Sequence, residues 1–130
     1  ESRSSKQISF SFSTSDETLY ANLNTELFGW VIENLIKNAI DAMLGKGELN
    51  LKIKSTTKKI IITVSDTGKG MPKKLYKQIF KPGFTTKKRG WGLGLSLSKR
   101  IVEDYHNGKI SVKKSELNKG TTFMILLDRV

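Results

Sequence analysis

Three groups of residues in this 130-residue chain have types and spacings suited to chemistry. Asn34 and Asn38 are four apart, so on a helix their carboxamides share a line that Asp41 continues. A carboxamide oxygen is a hard, neutral ligand, suited to a Mg²⁺ that keeps waters and takes other ligands from substrate phosphates. Taken alone, the pair reads equally as two surface amides. The second group is Asp66-Thr67-Gly68-Lys69-Gly70-Met71-Pro72. Its alternate glycines let backbone approach a flat ligand, and an ionised carboxylate accepts a hydrogen bond from an exocyclic amine such as that of adenine. Taken alone, it is an aspartate-glycine turn. The third is Gly90-Trp91-Gly92-Leu93-Gly94-Leu95, preceded by Thr85, Thr86, Lys87, Lys88 and Arg89. Glycines feeding a helix N-terminus offer unpaired N–H groups and the positive dipole end to phosphate oxygens. The spacing is neither that of a P-loop, which needs its lysine straight after the last glycine, nor that of a dinucleotide fingerprint, since no strand precedes it.

These groups need elements to carry them. Alternation of Ile8, Phe10 and Phe12 predicts a half-buried edge or early strand over 7–13. A helix is expected from a cap at Asn24 or Thr25 to Met43 and Leu44, stopping before Gly45. Leu27, Val31, Ile32, Leu35, Ile36, Ala39, Ile40 and Met43 fill an arc of about 220° on it, wide enough to pack more than half its girth. Strands are predicted over 48–55 and 59–65, the second central and apolar on both faces through Ile60, Ile61, Ile62 and Val64. Pro72 opens a short helix to about Phe80, and 81–92 is a long irregular stretch. A last helix over 93–106, with Leu97, Ile101, Val102 and Tyr105 on one face, leads to a closing strand pair, 109–114 and 121–128. Helices and strands interleave without strict alternation, which predicts a mixed sheet with its helices on one face.

Composition narrows the rest. The net charge of +11, from 23 Lys and Arg against 12 Asp and Glu, suits nucleic acid, an anionic membrane surface or a polyphosphate ligand. Lysines scattered through every segment, without interleaved aromatics, argue against nucleic acid as a partner. The absence of cysteine removes disulfides and thiolate metal sites, and one histidine, His106, cannot build a multi-histidine centre. No apolar run is long enough to span a bilayer. The expectation is a single domain over 7–130, preceded by a disordered or appended polar start at 1–6, cut from something longer and cytoplasmic.

In their order, the motifs resemble the Bergerat-fold ATPases shared by histidine kinases, gyrase, heat-shock chaperones and mismatch-repair proteins. The sensor histidine kinase branch matches best: Asn34 to Asn38 looks like its N box, Asp66 to Gly70 its G1 box, Phe80 to Phe84 its F box, Gly90 to Gly94 its G2 box, and Gly120-Thr121-Thr122-Phe123 its glycine-threonine box. The resemblance implies a two-layer α/β sandwich, a mixed sheet of about five strands under about three helices. It implies that Asn38 holds Mg²⁺ with Asn34 and Asp41 beside it, and that Asp66 binds the adenine amine near Gly68, Gly70 and Thr121. Ile79 and Phe80 join the ATP site, and Thr85, Thr86, Lys87, Lys88, Gly90, Gly92, Leu93, Gly94 and Leu95 form a lid over the phosphates. Lys87 or Lys88 contacts the terminal phosphate, and Lys87 joins Asn38 as a catalytic residue.

Hydrolytic members carry a glutamate four residues before the magnesium asparagine. Here that residue is Asn34, while Glu33 is turned by about 100° to another face. This favours kinase chemistry: the γ-phosphoryl group of ATP would pass to a histidine on a separate dimerisation domain, leaving ADP, and then to the receiver domain of a response regulator. His106 is expected to cap a helix C-terminus as a cation, not to accept phosphate. Asp41 and Ala42 stand where many such kinases have lysine and tyrosine, so one phosphate contact would be missing, with Lys37 and the lid cations as candidate substitutes. Trp91 reads as a lid anchor or a plain hydrophobic contact. The rival readings are an anti-sigma-type serine kinase, a hydrolytic ATPase module and a non-catalytic docking module.

Overall fold

The computed structural model describes residues 7–15, 17–84 and 94–130. Its five strands, β1 (Gln7–Thr14), β2 (Lys46–Ser55), β3 (Lys59–Asp66), β4 (Lys109–Glu116) and β5 (Gly120–Asp128), form one sheet in the order β1-β2-β3-β5-β4. Only the β1–β2 pair is parallel, so the sheet is mixed. Helix α1 (Thr25–Met43) lies across one face beside the last helix, α2 (Gly94–Arg100), which runs into a wider π turn at Ile101–Tyr105. Two short 3₁₀ turns, Lys73–Leu75 and Gln78–Phe80, replace the short helix expected after Pro72. This is the expected two-layer α/β sandwich, with β3 central.

The period-two pattern decides which sheet face meets the helices. On β3, Ile60, Ile62, Val64 and Asp66 are buried, while Ile61, Thr63 and Ser65 are half-buried on the open face. β3 is therefore covered on one side only, although its sequence is apolar on both. The register continues the covered face through Leu127, Ile125, Phe123 and Thr121 of β5. Its buried side chains make one cluster with Phe28, Val31, Leu35, Ala39 and Met43 of α1. Burial of each large aliphatic or aromatic side chain contributes about 1.5–3 kcal/mol.

The chemistry expected of the helix ends is present. Asn24 caps α1 by accepting from the Leu27 N–H at 3.0 Å, and Leu44 closes it in the left-handed region at φ 53°. The buried stripe of α1 is narrower than the expected arc: Ile32 and Ile36 are partly buried and Ile40 is exposed, whereas Phe28 is buried. Phe10 and Phe12 of β1 likewise lie on the covered face by register, yet both are exposed because β1 is an edge strand beyond the reach of α1.

The last helix departs most from its sequence pattern. Leu97 and Tyr105 are exposed, and Ser98, Ile101, Val102 and His106 are buried instead. Helical spacing would place Tyr105 under Ile101. The π turn adds one residue to that repeat, so His106 comes inward and its Nδ1 lies 2.9 Å from the Ile101 carbonyl. Its Nε2 accepts from the Asn24 N–H at 3.0 Å, and its ring meets Phe28 edge-on at 5.3 Å. The ring is thus a neutral bridge between the start of α1 and the end of the last helix, with Nδ1 donating, and not a cationic cap. Replacing His106 by alanine removes one buried and one part-buried hydrogen bond and leaves a cavity, so urea unfolding is expected to show a loss of about 2–4 kcal/mol.

Candidate functional site

The site lies where β3 ends, β5 begins and the C-terminal half of α1 crosses above them. Asp66, the last residue of β3, is only 8% exposed. Its Oδ1 accepts from the Gly68 N–H at 2.8 Å and from the Thr121 N–H at 3.3 Å. Oδ2 meets no donor among the described residues. Burial pushes the carboxyl above its ordinary range, against the two N–H bonds, which favour the anion. The site therefore presents one desolvated carboxylate oxygen with unused acceptor capacity.

The loop after Asp66 is held tightly on both sides. A Cβ on Gly68 would lie 2.6 Å from the Ala42 carbonyl oxygen of α1, and the adjacent Lys69 N–H donates to that carbonyl at 3.0 Å. Gly70 has φ +66° and would drive a Cβ into the Glu116 carbonyl. The far side of the loop is pinned to β4, since the Met71 N–H donates to Ser115 Oγ at 2.9 Å. Tyr76 Oη clamps the same residue, donating to the Ser115 carbonyl and accepting from its N–H, both at 2.6 Å.

These elements enclose a cavity of about 170 Å³. Asp66 and Thr121 supply polar groups, Asn38 and Ala42 line it from α1, and Met71, Leu75, Ile79, Phe84 and Leu95 make it largely apolar. Such a slot accepts a flat ring that brings a polar hydrogen to Asp66. Gly70 lines it, whereas Gly68 packs against α1. Phe80 is buried outside the lining and meets Phe123, a lining residue, edge-on at 6.2 Å.

Asn34, Asp41 and Gly94 also stand outside the lining. Asn34 Nδ2 donates to the buried Ser98 Oγ at 3.1 Å, and Ser98 Oγ donates to the Gly94 carbonyl at 2.8 Å. A Cβ at Gly94 would lie 2.7 Å from Asn34 Oδ1, so the glycine lets the last helix start against α1. Glu33 is exposed, as the helical rotation requires. Thr85, Thr86, Lys87, Lys88, Gly90, Gly92 and Leu93, with Arg89 and Trp91, lie outside the described residues.

Leu75 is a lining residue that sequence reasoning passed over, as is the Tyr76–Ser115 clamp behind it. Leu75 is four before Ile79, a spacing that could have flagged it. Nothing in the sequence pairs Tyr76 with Ser115.

A mixed five-stranded sheet with a buried aspartate at the end of its central strand and helices on one face defines an ATPase class. Residues 24–130 match the family described as histidine kinase-, DNA gyrase B- and HSP90-like ATPases, and the chain belongs to that family. Within it, the chain is 40% identical over 97 residues to sporulation kinase C of Bacillus subtilis, covering 75% of this chain and 22% of that protein. It is 38% identical over 124 residues to the sensor histidine kinase ZraS of Salmonella typhimurium, covering 95% and 26%. It thus spans about a quarter of these relatives' length. Among solved structures, the catalytic domain of histidine kinase ThkA is similar at a TM-score of 0.84 and 35% identity, covering 94% of this chain and 79% of that one. The chain is a histidine-kinase-type catalytic ATPase domain. Among the described residues, no helix is long and apolar enough to cross a membrane.

The raised pKa of Asp66 has a definite consequence for stability. A carboxyl whose folded pKa lies above its unfolded value favours the fold below the unfolded value, and that contribution is lost as pH rises through the folded one. Asp66→Asn keeps an oxygen for both N–H donors and cannot ionise. Thermal unfolding is therefore expected to show the variant at least as stable as the parent at neutral pH, with its advantage vanishing below the ordinary carboxyl value of 3.8. A variant markedly less stable at neutral pH would show that the anion is needed by the fold.

Proposed function

We propose that this domain binds Mg²⁺-ATP in the cavity and supplies the γ-phosphoryl group to a histidine on a separate dimerisation domain, from which it passes to a response-regulator receiver domain. The observation that carries the reading is Asp66, a desolvated carboxylate with one oxygen lacking a donor, at the base of an apolar slot. The adenine amine supplies the missing donor, and the apolar walls take the ring faces. Gly68 and Gly70 belong to this site by holding the loop that frames the base, and Thr121 by fixing Asp66 through its N–H.

Asn38 reaches the cavity from α1, and the described residues contain no group of three His, Cys, Asp or Glu able to hold a metal by themselves. That donor set fits a Mg²⁺ that takes most ligands from phosphate oxygens and water, and the bound ion would neutralise charge on the triphosphate. Asn34 and Asp41 support it from the same helix, Asn34 through Ser98. In the reaction, the bond between the γ-phosphorus and its bridging oxygen breaks, a bond to the acceptor imidazole nitrogen forms, and ADP leaves. The domain's own part is positioning and charge neutralisation, with Lys87 or Lys88 toward the terminal phosphate. The lid assignment of Thr85, Thr86, Gly90, Gly92, Leu93, Gly94 and Leu95, and the places of Ile79 and Phe80 near the ring, complete this reading.

An amide at position 34 supports phosphoryl transfer over hydrolysis, because a carboxamide cannot take a proton from water. The partners find support in relatives: ThkA has been solved in complex with the response regulator TrrA, with 32% identity and a TM-score of 0.81. A place in the cytoplasm follows from the same reading, since ATP and a receiver domain are met there.

Calorimetric titration with a non-hydrolysable ATP analogue tests the pocket. Binding is expected to favour adenine over guanine nucleotides and to weaken at least about a hundredfold in Asp66→Asn. Asn38→Ala is expected to abolish the gain in affinity that Mg²⁺ brings. Unchanged Mg²⁺ dependence in that variant would remove the metal assignment, and no nucleotide binding at millimolar ligand would remove the kinase reading.

A further inference from the structure

The open face of the sheet, opposite the helices, carries a second concavity of about 190 Å³. The lysines lining it are Lys52 and Lys54 of β2 and Lys113 and Lys114 of β4. Consecutive strand residues normally point to opposite faces. The register shift between Val112 and Lys114 breaks that alternation and lets both Lys113 and Lys114 line the hollow. None of the four ammonium groups has an ion pair or hydrogen bond among the described residues. By register three strand carboxylates share this face outside the lining: Asp128 is held by Lys59 at 2.6 Å, Glu116 is met by Lys119 at 3.7 Å, and Glu48 stands on β2 beyond Asn50.

The floor is polar and stocked with short donors. Register brings Asn50, Ser65 and Thr122 into one row, with Thr63 in the next. Ser65 and Thr122 are joined hydroxyl to hydroxyl at 2.8 Å, which uses one of their two protons and leaves the other free to donate outward. Asn50 Nδ2 spends one proton on Ser11 Oγ at 2.6 Å and keeps a second. Among the described residues no aromatic side chain lines the hollow, which leaves nothing there for a base to stack on. It also lacks the apolar anchors that dominate protein interfaces.

We propose that this hollow is a binding site for a compact anion bearing two phosphoryl groups, distinct from the nucleotide cavity on the opposite face. Charge sets the number: a phosphomonoester carries about −1.5 to −2 at neutral pH, so two such groups balance four lysines. Converging unpaired ammonium groups repel one another in the free domain, and the anion relieves that repulsion while the floor hydroxyls and amide donate to its oxygens. The phosphates belong either to a free anion or to a lipid headgroup.

The test uses inorganic pyrophosphate, titrated calorimetrically into the domain at about 0.15 M salt with a saturating non-hydrolysable ATP analogue present. One pyrophosphate per chain is expected, and the variant Lys54→Gln/Lys113→Gln, altered at two exposed positions, is expected to bind it at least about tenfold more weakly while holding the ATP analogue as before. Sedimentation with phosphatidylcholine vesicles containing cardiolipin, a lipid with two phosphates, distinguishes the source. Vesicle binding that the variant loses assigns the phosphates to a headgroup, and pyrophosphate binding alone assigns them to a free anion. Absence of both, equal affinity in the variant, or displacement of pyrophosphate by the ATP analogue overturns the proposal. Failure of the ATP analogue to bind would count against the kinase reading and leave the pyrophosphate result to stand on its own.

Discussion

Keeping the carboxylate of Asp66 at the buried end of the central strand is the constraint on which the rest of the site depends. Burial disfavours the charged form of the group, and the two backbone N–H donors from Gly68 and Thr121 oppose this. Those donors come from different elements, so the position fixes both the turn that leaves β3 and the start of β5. Gly120 shows how close the fit is: at φ +118° it leaves no room for a Cβ beside the Asp66 carbonyl. The second oxygen has no donor among the described residues, and a polar hydrogen brought to it in such dry surroundings would gain more from the bond than it would in water.

Helix α1 brings the other half of the site to the same place. One stripe of it, from Phe28 through Val31, Leu35 and Ala39 to Met43, is driven into the sheet by burial. The margin of that stripe carries Asn34 and Asn38 over the end of β3. Its two ends are tied to distant parts of the chain. At the C-terminal end the Ala42 carbonyl receives the Lys69 N–H, and at the N-terminal end Asn24 is bonded to His106 across 82 positions of sequence. The Asn34–Ser98–Gly94 chain adds a third tie in the middle. A shift of the last helix would thus be felt at Asn34, through its hydrogen bond to Ser98.

The two faces of the sheet show how one strand pattern serves two surfaces. On the covered face, alternate residues pack under the helices and end in Asp66 and Thr121. The intervening residues, Thr63 and Ser65 of β3 and Thr122 of β5, form the polar floor under the lysines of β2 and β4. A domain with net charge +11 has cations to spare, and the register shift in β4 gathers some of them instead of leaving them spread.

The strands, both ends of α1 and the turn after Asp66 were legible in the sequence because each rests on local physics. Alternation marks half-buried strands, an asparagine can cap the helix behind it, and glycines beside an aspartate turn the chain. The motif order carried the family as well. What local physics could not reach was decided by distance in sequence. Phe10 and Phe12 alternate as half-buried residues should, and β1 is the edge strand that was expected, but α1 does not reach over it to cover them. Tyr105 lies on the apolar face of a regular helix, but a π turn moved that face onto His106, whose ring then found a donor at the start of α1 and stayed neutral. The clamp of Tyr76 on Ser115 and the gathering of Lys52, Lys54, Lys113 and Lys114 depend on which strands lie side by side. That order is set by the packing of the whole sheet, and no single segment contains it.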